Sequence, residues 1–164
     1  RRQAVLVAQR YLTVGWERLH LDARALATLL MEKGPFQGIV AVSRGGLIPA
    51  AIVARELGIR MVESVSVVTY EEQAMGEPVV IKPPAIAGDG SGFLVIDDLT
   101  DTGTTARVVR GLLPKAHFAC VYVKPAGQAL ADTYVSSVEQ DTWILFPWDT
   151  LPQFIPPLVR REGN

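Results

Sequence analysis

The stretch Phe93-Leu94-Val95-Ile96-Asp97-Asp98-Leu99-Thr100-Asp101-Thr102-Gly103-Thr104-Thr105 carries most of the information in this chain. Its first four residues form an apolar, partly β-branched run of the length and composition of a buried strand. An acidic loop follows, and then a helix from about Thr104 to Leu113, which Pro114 ends. Working outward, Trp16, Leu19, Ala23, Leu26, Ala27 and Leu30 recur at helical spacing between Gly15 and Gly34-Pro35. Gly38 to Val42 reads as a second buried strand. Leu47 to Leu57 reads as a helix with Pro49 in its first turn and Gly58 at its end. Val62 to Val68 alternates apolar and polar residues, as a strand with one more exposed face does. Phe118 to Val123 is a further strand, and shorter ones fall near Tyr134–Val138 and Thr142–Phe146. Strands that alternate with helices predict an α/β fold, with a mostly parallel central sheet flanked by helices.

Composition bounds the possibilities. At 164 residues, with 49% hydrophobic and 20% charged residues, the chain is expected to form one well-cored domain. A single cysteine, Cys120, allows neither an intrachain disulfide nor a zinc site built on cysteines, which suits a reducing compartment. Sixteen basic residues against seventeen acidic ones give a net charge of −1, which argues against a general nucleic-acid binder. No apolar run reaches the ~18 residues of a membrane span, and no signal core follows Arg1-Arg2. The expectation is a soluble intracellular protein.

In such sheets ligands bind beyond the carboxyl ends of the strands, so the residues just after each strand matter most. Asp101 to Thr105 is a small-residue loop opening a helix, with three threonine hydroxyls and exposed backbone N–H groups suited to an anion. The helix dipole contributes only ~0.3–1 kcal/mol, so converging hydrogen bonds must do most of the binding. There is no Walker lysine. Asp97 and Asp98 beside such a cradle repel one another unless donors or a metal lie between them. A sugar diol supplies donors, and Mg²⁺ suits carboxylate and phosphate oxygens. The loop therefore reads as a ribose 5-phosphate site; a helix cap with solvated acids is the alternative.

Ser43-Arg44-Gly45-Gly46 follows another strand. Its glycines admit an anion close to the backbone and Arg44 adds a fork of donors, as pyrophosphate would need; a tight turn with a surface arginine is the alternative. Lys124, after Phe118–Val123, can donate to a carbonyl or phosphate oxygen, although in isolation it reads as a snorkelling surface lysine. Trp143 could stack on a base, although in isolation it reads as core. His20 and His117 lack ligand partners in the sequence, Cys120 reads as an inert buried thiol, and Gly88 to Gly92 as a flexible turn.

The run Val95 to Thr105 resembles the phosphoribosyl-pyrophosphate signature of the type I phosphoribosyltransferases. The likeness extends from about Trp16 to Pro157 through Ala41-Val42-Ser43-Arg44-Gly45-Gly46-Leu47, Ala54-Arg55-Glu56-Leu57-Gly58 and Pro114-Lys115-Ala116-His117-Phe118. It continues through Lys124-Pro125-Ala126-Gly127, Gln140-Asp141-Thr142-Trp143-Ile144 and Pro147-Trp148-Asp149, and is strongest to the purine-salvage members. The resemblance implies the fold of that family with a small C-terminal hood over residues 125–164. It also implies Mg²⁺-dependent transfer of ribose 5-phosphate from phosphoribosyl pyrophosphate to N9 of a 6-oxopurine (xanthine, guanine, more weakly hypoxanthine). By the same resemblance Ser43, Arg44, Gly45 and Gly46 hold pyrophosphate, Asp97 and Asp98 face the ribose hydroxyls, and Asp98 touches the metal. Asp101 is the proton acceptor near purine N7, and Thr102, Gly103, Thr104 and Thr105 join it around the 5′-phosphate. Lys124 donates to O6, and Trp143 and Ile144 frame the base. A homotetramer or homodimer in the cytoplasm, with peripheral membrane association as a further option, is also implied.

From Thr69 to Ser91 periodicity vanishes, so residues 69–91 are expected to form a flexible lid, part of which could be a hairpin around Gly76. Relatives tend to carry an arginine there; this segment has none, Lys82 is its only cation, and Pro83-Pro84 stiffen it. Residues 1–15 read as an extension of unknown role. Two other functions remain open at this point: a sensor of phosphoribosyl pyrophosphate acting as a regulator, and transfer to another base such as orotate, uracil or adenine.

Overall fold

The computed structural model describes residues 10–69, 77–150 and 155–160. It divides into a larger unit, residues 20–140, and a smaller one made of residues 10–19, 141–150 and 155–160.

The larger unit is built on a six-stranded sheet. Its strands are β2 (Gly38–Ser43), β3 (Val62–Thr69), β4 (Pro78–Lys82), β5 (Phe93–Thr100), β6 (His117–Val123) and β7 (Thr133–Ser137). Their order is β4-β3-β2-β5-β6-β7; all neighbours are parallel except β3 and β4. Parallel strands must be covered on both faces, and the two central strands accordingly open on apolar runs, Gly38 to Val42 and Phe93 to Ile96. On one face Val40, Val42, Val65, Phe93, Val95, Phe118 and Cys120 pack with Ala106, Val109 and Leu113 from the region of α3 (Thr104–Leu112). The alternation of a strand turns Ile39, Ala41, Leu94 and Ile96 the other way, all buried, while α2 (Leu47–Leu57) lies over β2, β3 and β5. Helix α1 (Trp16–Leu30) is tied to β6 by a buried hydrogen bond from the Tyr122 hydroxyl to the Asp22 carboxylate.

The predicted helices and most predicted strands form within a residue of the expected bounds, with two corrections. The acidic run is not a loop: β5 continues through Asp97 and Asp98 to Thr100, paired with β6 at Asp97–Cys120, Leu99–Tyr122 and Thr100–Val123. Aspartate is a poor strand former, but pairing along a parallel neighbour outweighs that preference. Nor is 69–91 irregular throughout. Residues 78–82 form β4, an antiparallel edge strand with a register shift at Ser66–Val67. An edge position tolerates Pro78, which had masked the strand. Residues 70–76, including the expected turn at Gly76, lie outside the described residues.

The smaller unit pairs β1 (Arg10–Thr13) in parallel with β8 (Thr142–Leu145). Residues 10–13, part of the stretch read as an extension of unknown role, are thus a strand. Residues 125–140 fall in the larger unit, whose sheet β7 completes, and the smaller unit resumes at Asp141. In the smaller unit the Phe146 and Trp148 rings stack at 4.9 Å, and Trp16 meets Trp148 edge-on at 6.3 Å. Among the described residues no helix is long and apolar enough to cross a membrane.

Candidate active site

Three parallel strands, β2, β5 and β6, deliver their carboxyl ends side by side, and most of the chemistry-bearing residues follow directly from them. Ser43 ends β2, and its hydroxyl shares a 2.6 Å hydrogen bond with the Ser66 hydroxyl on β3. The Ser43–Arg44 peptide is cis, and the Arg44 side chain is exposed. Gly45 lies against the Asp98 carboxylate so closely that a Cβ at 45 would collide with it; at Gly46 a Cβ would strike the carbonyl oxygens of Ile96 and Val42. The two glycines are therefore needed for close approach of the β2 exit to β5, and not only for the turn.

On β5, Asp97 is buried and one of its carboxylate oxygens accepts the Asp98 backbone N–H at 2.8 Å. Burial pushes the Asp97 carboxyl well above the ordinary carboxylate range, and the neighbouring Asp98 charge pushes it further. Asp98 is half-buried. Beyond the strand, Gly103 adopts φ +87°, a left-handed conformation, and a Cβ there would meet Leu130. Gly103 caps α3 without any side-chain hydrogen bond. The Thr102 and Thr104 hydroxyls bond each other at 3.1 Å. A glycine at the cap position brings no side chain of its own to the first-turn amides of α3. Gly46 at the start of α2 likewise provides no side-chain cap.

Lys124 is the largest departure from expectation. It is only 5% exposed, not a snorkelling surface residue, and its ammonium donates to Asp101 Oδ2 at 3.1 Å. The loop holding it is tight: Lys124 N–H donates to the Thr100 carbonyl at 2.9 Å and Gly127 N–H to the Lys124 carbonyl at 3.0 Å. The other carboxylate oxygen, Asp101 Oδ1, accepts from Gln140 Nε2 at 2.8 Å. Gln140 is a residue that reading the sequence did not assign; nothing in its local pattern distinguishes it from any other loop glutamine.

The remaining predicted residues belong to the smaller unit or are engaged elsewhere in the larger one. Trp143 and Ile144 are on β8 in the smaller unit, the indole 57% exposed and not a core residue, the isoleucine buried. Lys82, the lone cation of the 69–91 segment, is committed to β3, donating to the Ser64 carbonyl at 2.5 Å with the Glu63 carboxylate 3.9 Å away. His117 bonds the Thr133 hydroxyl at 2.7 Å at the opposite end of β6, and Cys120 is buried and donates to the Tyr122 carbonyl. Asp89 accepts the Ser91 N–H and pairs with Lys115, which makes Gly88 to Gly92 a braced turn.

Asp97 and Asp98 suit a hard cation in their donor chemistry. Among the described residues no group of three or more His, Cys, Asp or Glu could enclose a metal, so an ion here would take its other ligands from phosphates and water, as Mg²⁺ characteristically does.

Residues 16–154 match the family model of the phosphoribosyl transferase domain. The chain is 64% identical over 157 residues to the xanthine-guanine phosphoribosyltransferase of Gluconobacter oxydans, covering 94% of each chain. It is 54% identical over 150 residues to the enzyme of that name from Nitratidesulfovibrio vulgaris, covering 90% of each. Among solved structures it resembles the purine phosphoribosyltransferase of Pyrococcus horikoshii with a TM-score of 0.75 at 31% identity, covering 89% of this chain and 99% of that one. A family-model match over most of its length and 64% identity to a relative covered to 94% show that this chain belongs to the phosphoribosyl transferase domain family.

Proposed function

We propose that this protein is a purine-salvage enzyme that transfers ribose 5-phosphate from phosphoribosyl pyrophosphate to N9 of a 6-oxopurine, guanine and xanthine foremost. The observation that carries the reading is the buried Lys124 paired with Asp101, one strand exit away from the threonine loop. The names carried by the most similar relatives support the same substrate class.

In this reading the 5′-phosphate rests on the first-turn amides of α3 and the hydroxyls of Thr102, Thr104 and Thr105. Asp97 and Asp98 orient the ribose hydroxyls. N9 bonds to C1′ as the C1′–O bond breaks and pyrophosphate leaves with the electron pair; the purine proton lost from N7 passes to Asp101. Arg44 and the backbone of Gly45 and Gly46, with Ser43 beside them, stabilise the departing anion, whose charge grows in the transition state. Asp98, with Asp97 beside it, would hold Mg²⁺, which supplies charge neutralisation on the leaving group. Lys124 has donors only and so matches O6 of an oxopurine. Against the amino group of adenine its remaining N–H would face another donor and go unsatisfied.

An ultraviolet assay with phosphoribosyl pyrophosphate and Mg²⁺, run separately on guanine, xanthine, hypoxanthine, adenine and orotate, tests this. The expected result is turnover confined to the oxopurines and lost on chelation of the metal. Binding of phosphoribosyl pyrophosphate without turnover of any base would overturn it in favour of a regulatory sensor.

A further inference from the structure

Gln140 closes a bridge between two loops of the site. Its Oε1 accepts the Ala126 N–H at 2.9 Å, and its Nε2 donates to Asp101 Oδ1 at 2.8 Å, with a longer contact of 3.4 Å to the Asp101 carbonyl. A backbone amide can only donate, so the Ala126 contact fixes which end of the glutamine faces it and leaves the NH₂ for the carboxylate. Ala126 lies in the β6 exit loop that also carries Lys124, and Asp101 in the exit loop of β5. The Asp101 side chain is half-exposed and sits on a bend. Lys124 alone is a point charge on one oxygen and does not define the plane of the carboxylate. A second donor on the other oxygen does.

We propose that Gln140 is a positioning residue for the transfer: it sets the plane of the Asp101 carboxylate so that the oxygen shared with Lys124 is the one offered to the purine. The inference rests on the proposed role of Asp101 as proton acceptor. Gln140 acts through Asp101, and its second bond anchors it to the loop that positions Lys124, so the two groups facing the base keep their spacing. Proton transfer is sensitive to such placement, since catalytic groups displaced by ~1 Å can cost about 10²-fold.

The test uses the full-length protein. Gln140→Met keeps the length and bulk of the side chain and removes both hydrogen-bonding ends. Loss of a charge-assisted hydrogen bond predicts a fall in kcat for guanine of roughly 10- to 100-fold, with KM for phosphoribosyl pyrophosphate held within about twofold. In an Asp101→Ala background the same substitution is expected to change kcat by less than about twofold, because the group it acts through is gone. Gln140→Glu keeps the bond to Ala126 but turns a carboxylate toward Asp101; it is expected to lose kcat as severely and serves as the second variant should Gln140→Met fold poorly. Unchanged turnover in the variant, or an equal loss in both backgrounds, would overturn the inference while leaving the proposed reaction standing. Absence of turnover by the wild type would overturn the proposed reaction and this inference together.

Discussion

His117 and Asp132 show how far single side chains depart from what their neighbours in sequence suggest. His117 lacks a ligand partner in the sequence, yet it bonds Thr133, and its ring lies tilted at 51° to that of Phe36, 5.7 Å away. Burial holds its pKa below the ordinary imidazole value; Asp132 pulls the other way, and Lys33 and Arg110 reinforce the lowering. The unfolded imidazole therefore takes up its proton first as the pH falls. Stability from this group is complete above about pH 6.5 and is lost as the pH falls through its lower folded-state value. The urea midpoint is expected to drop between about pH 7.5 and 5.5, and to drop less in His117→Asn. Equal drops would contradict the assignment. Asp132 acts in the same direction but lower: burial raises its pKa, yet the Phe118 N–H and Arg110 outweigh that, so its contribution disappears only below the carboxylate range. Lys124 carries the same lesson for the site. A lysine after a strand is ordinarily a solvated residue, and only the position of Asp101 across the strand ends, invisible to local pattern, explains its burial.

At the scale of elements, what could be read depended on whether the signal was local. Helix α2 was legible from Leu47 to Leu57 because its stop is local: Gly58 takes φ +67° and returns its N–H to the Arg55 carbonyl. The end of β5 was not, because its last four residues are strand by virtue of β6. The hidden β4 depends in the same way on β3. The β2 exit was recognisable from its glycines, although the reason for them was only half visible: Gly45 is small because Asp98 stands against it. Gly45→Ala is accordingly expected to raise KM for phosphoribosyl pyrophosphate by about tenfold or more, while the melting temperature moves little, since the obstructing group is a side chain that can rotate. Separate titrations of the two substrates check this; an unchanged KM for phosphoribosyl pyrophosphate, or an equal rise for the base, would count against the assignment of that loop.

For the whole molecule, the sequence announced a parallel α/β sheet and its binding edge, and the order β4-β3-β2-β5-β6-β7 puts the predicted loops of β2, β5 and β6 on neighbouring strands. Pairing between the two ends of the chain, β1 with β8, left no sequence signal, because two four-residue strands about 130 residues apart share no local pattern. The central claim concerns the larger unit alone: the Asp101–Lys124 pair reads the base. The most direct measurement is the ratio of kcat/KM for guanine to that for adenine, in the wild type and in Lys124→Gln. A glutamine can present either its NH₂ to O6 or its carbonyl to the adenine amino group, so the ratio is expected to fall by roughly 10²-fold or more in the variant. A ratio that stays at the wild-type value would show that another group reads the base and would contradict the account.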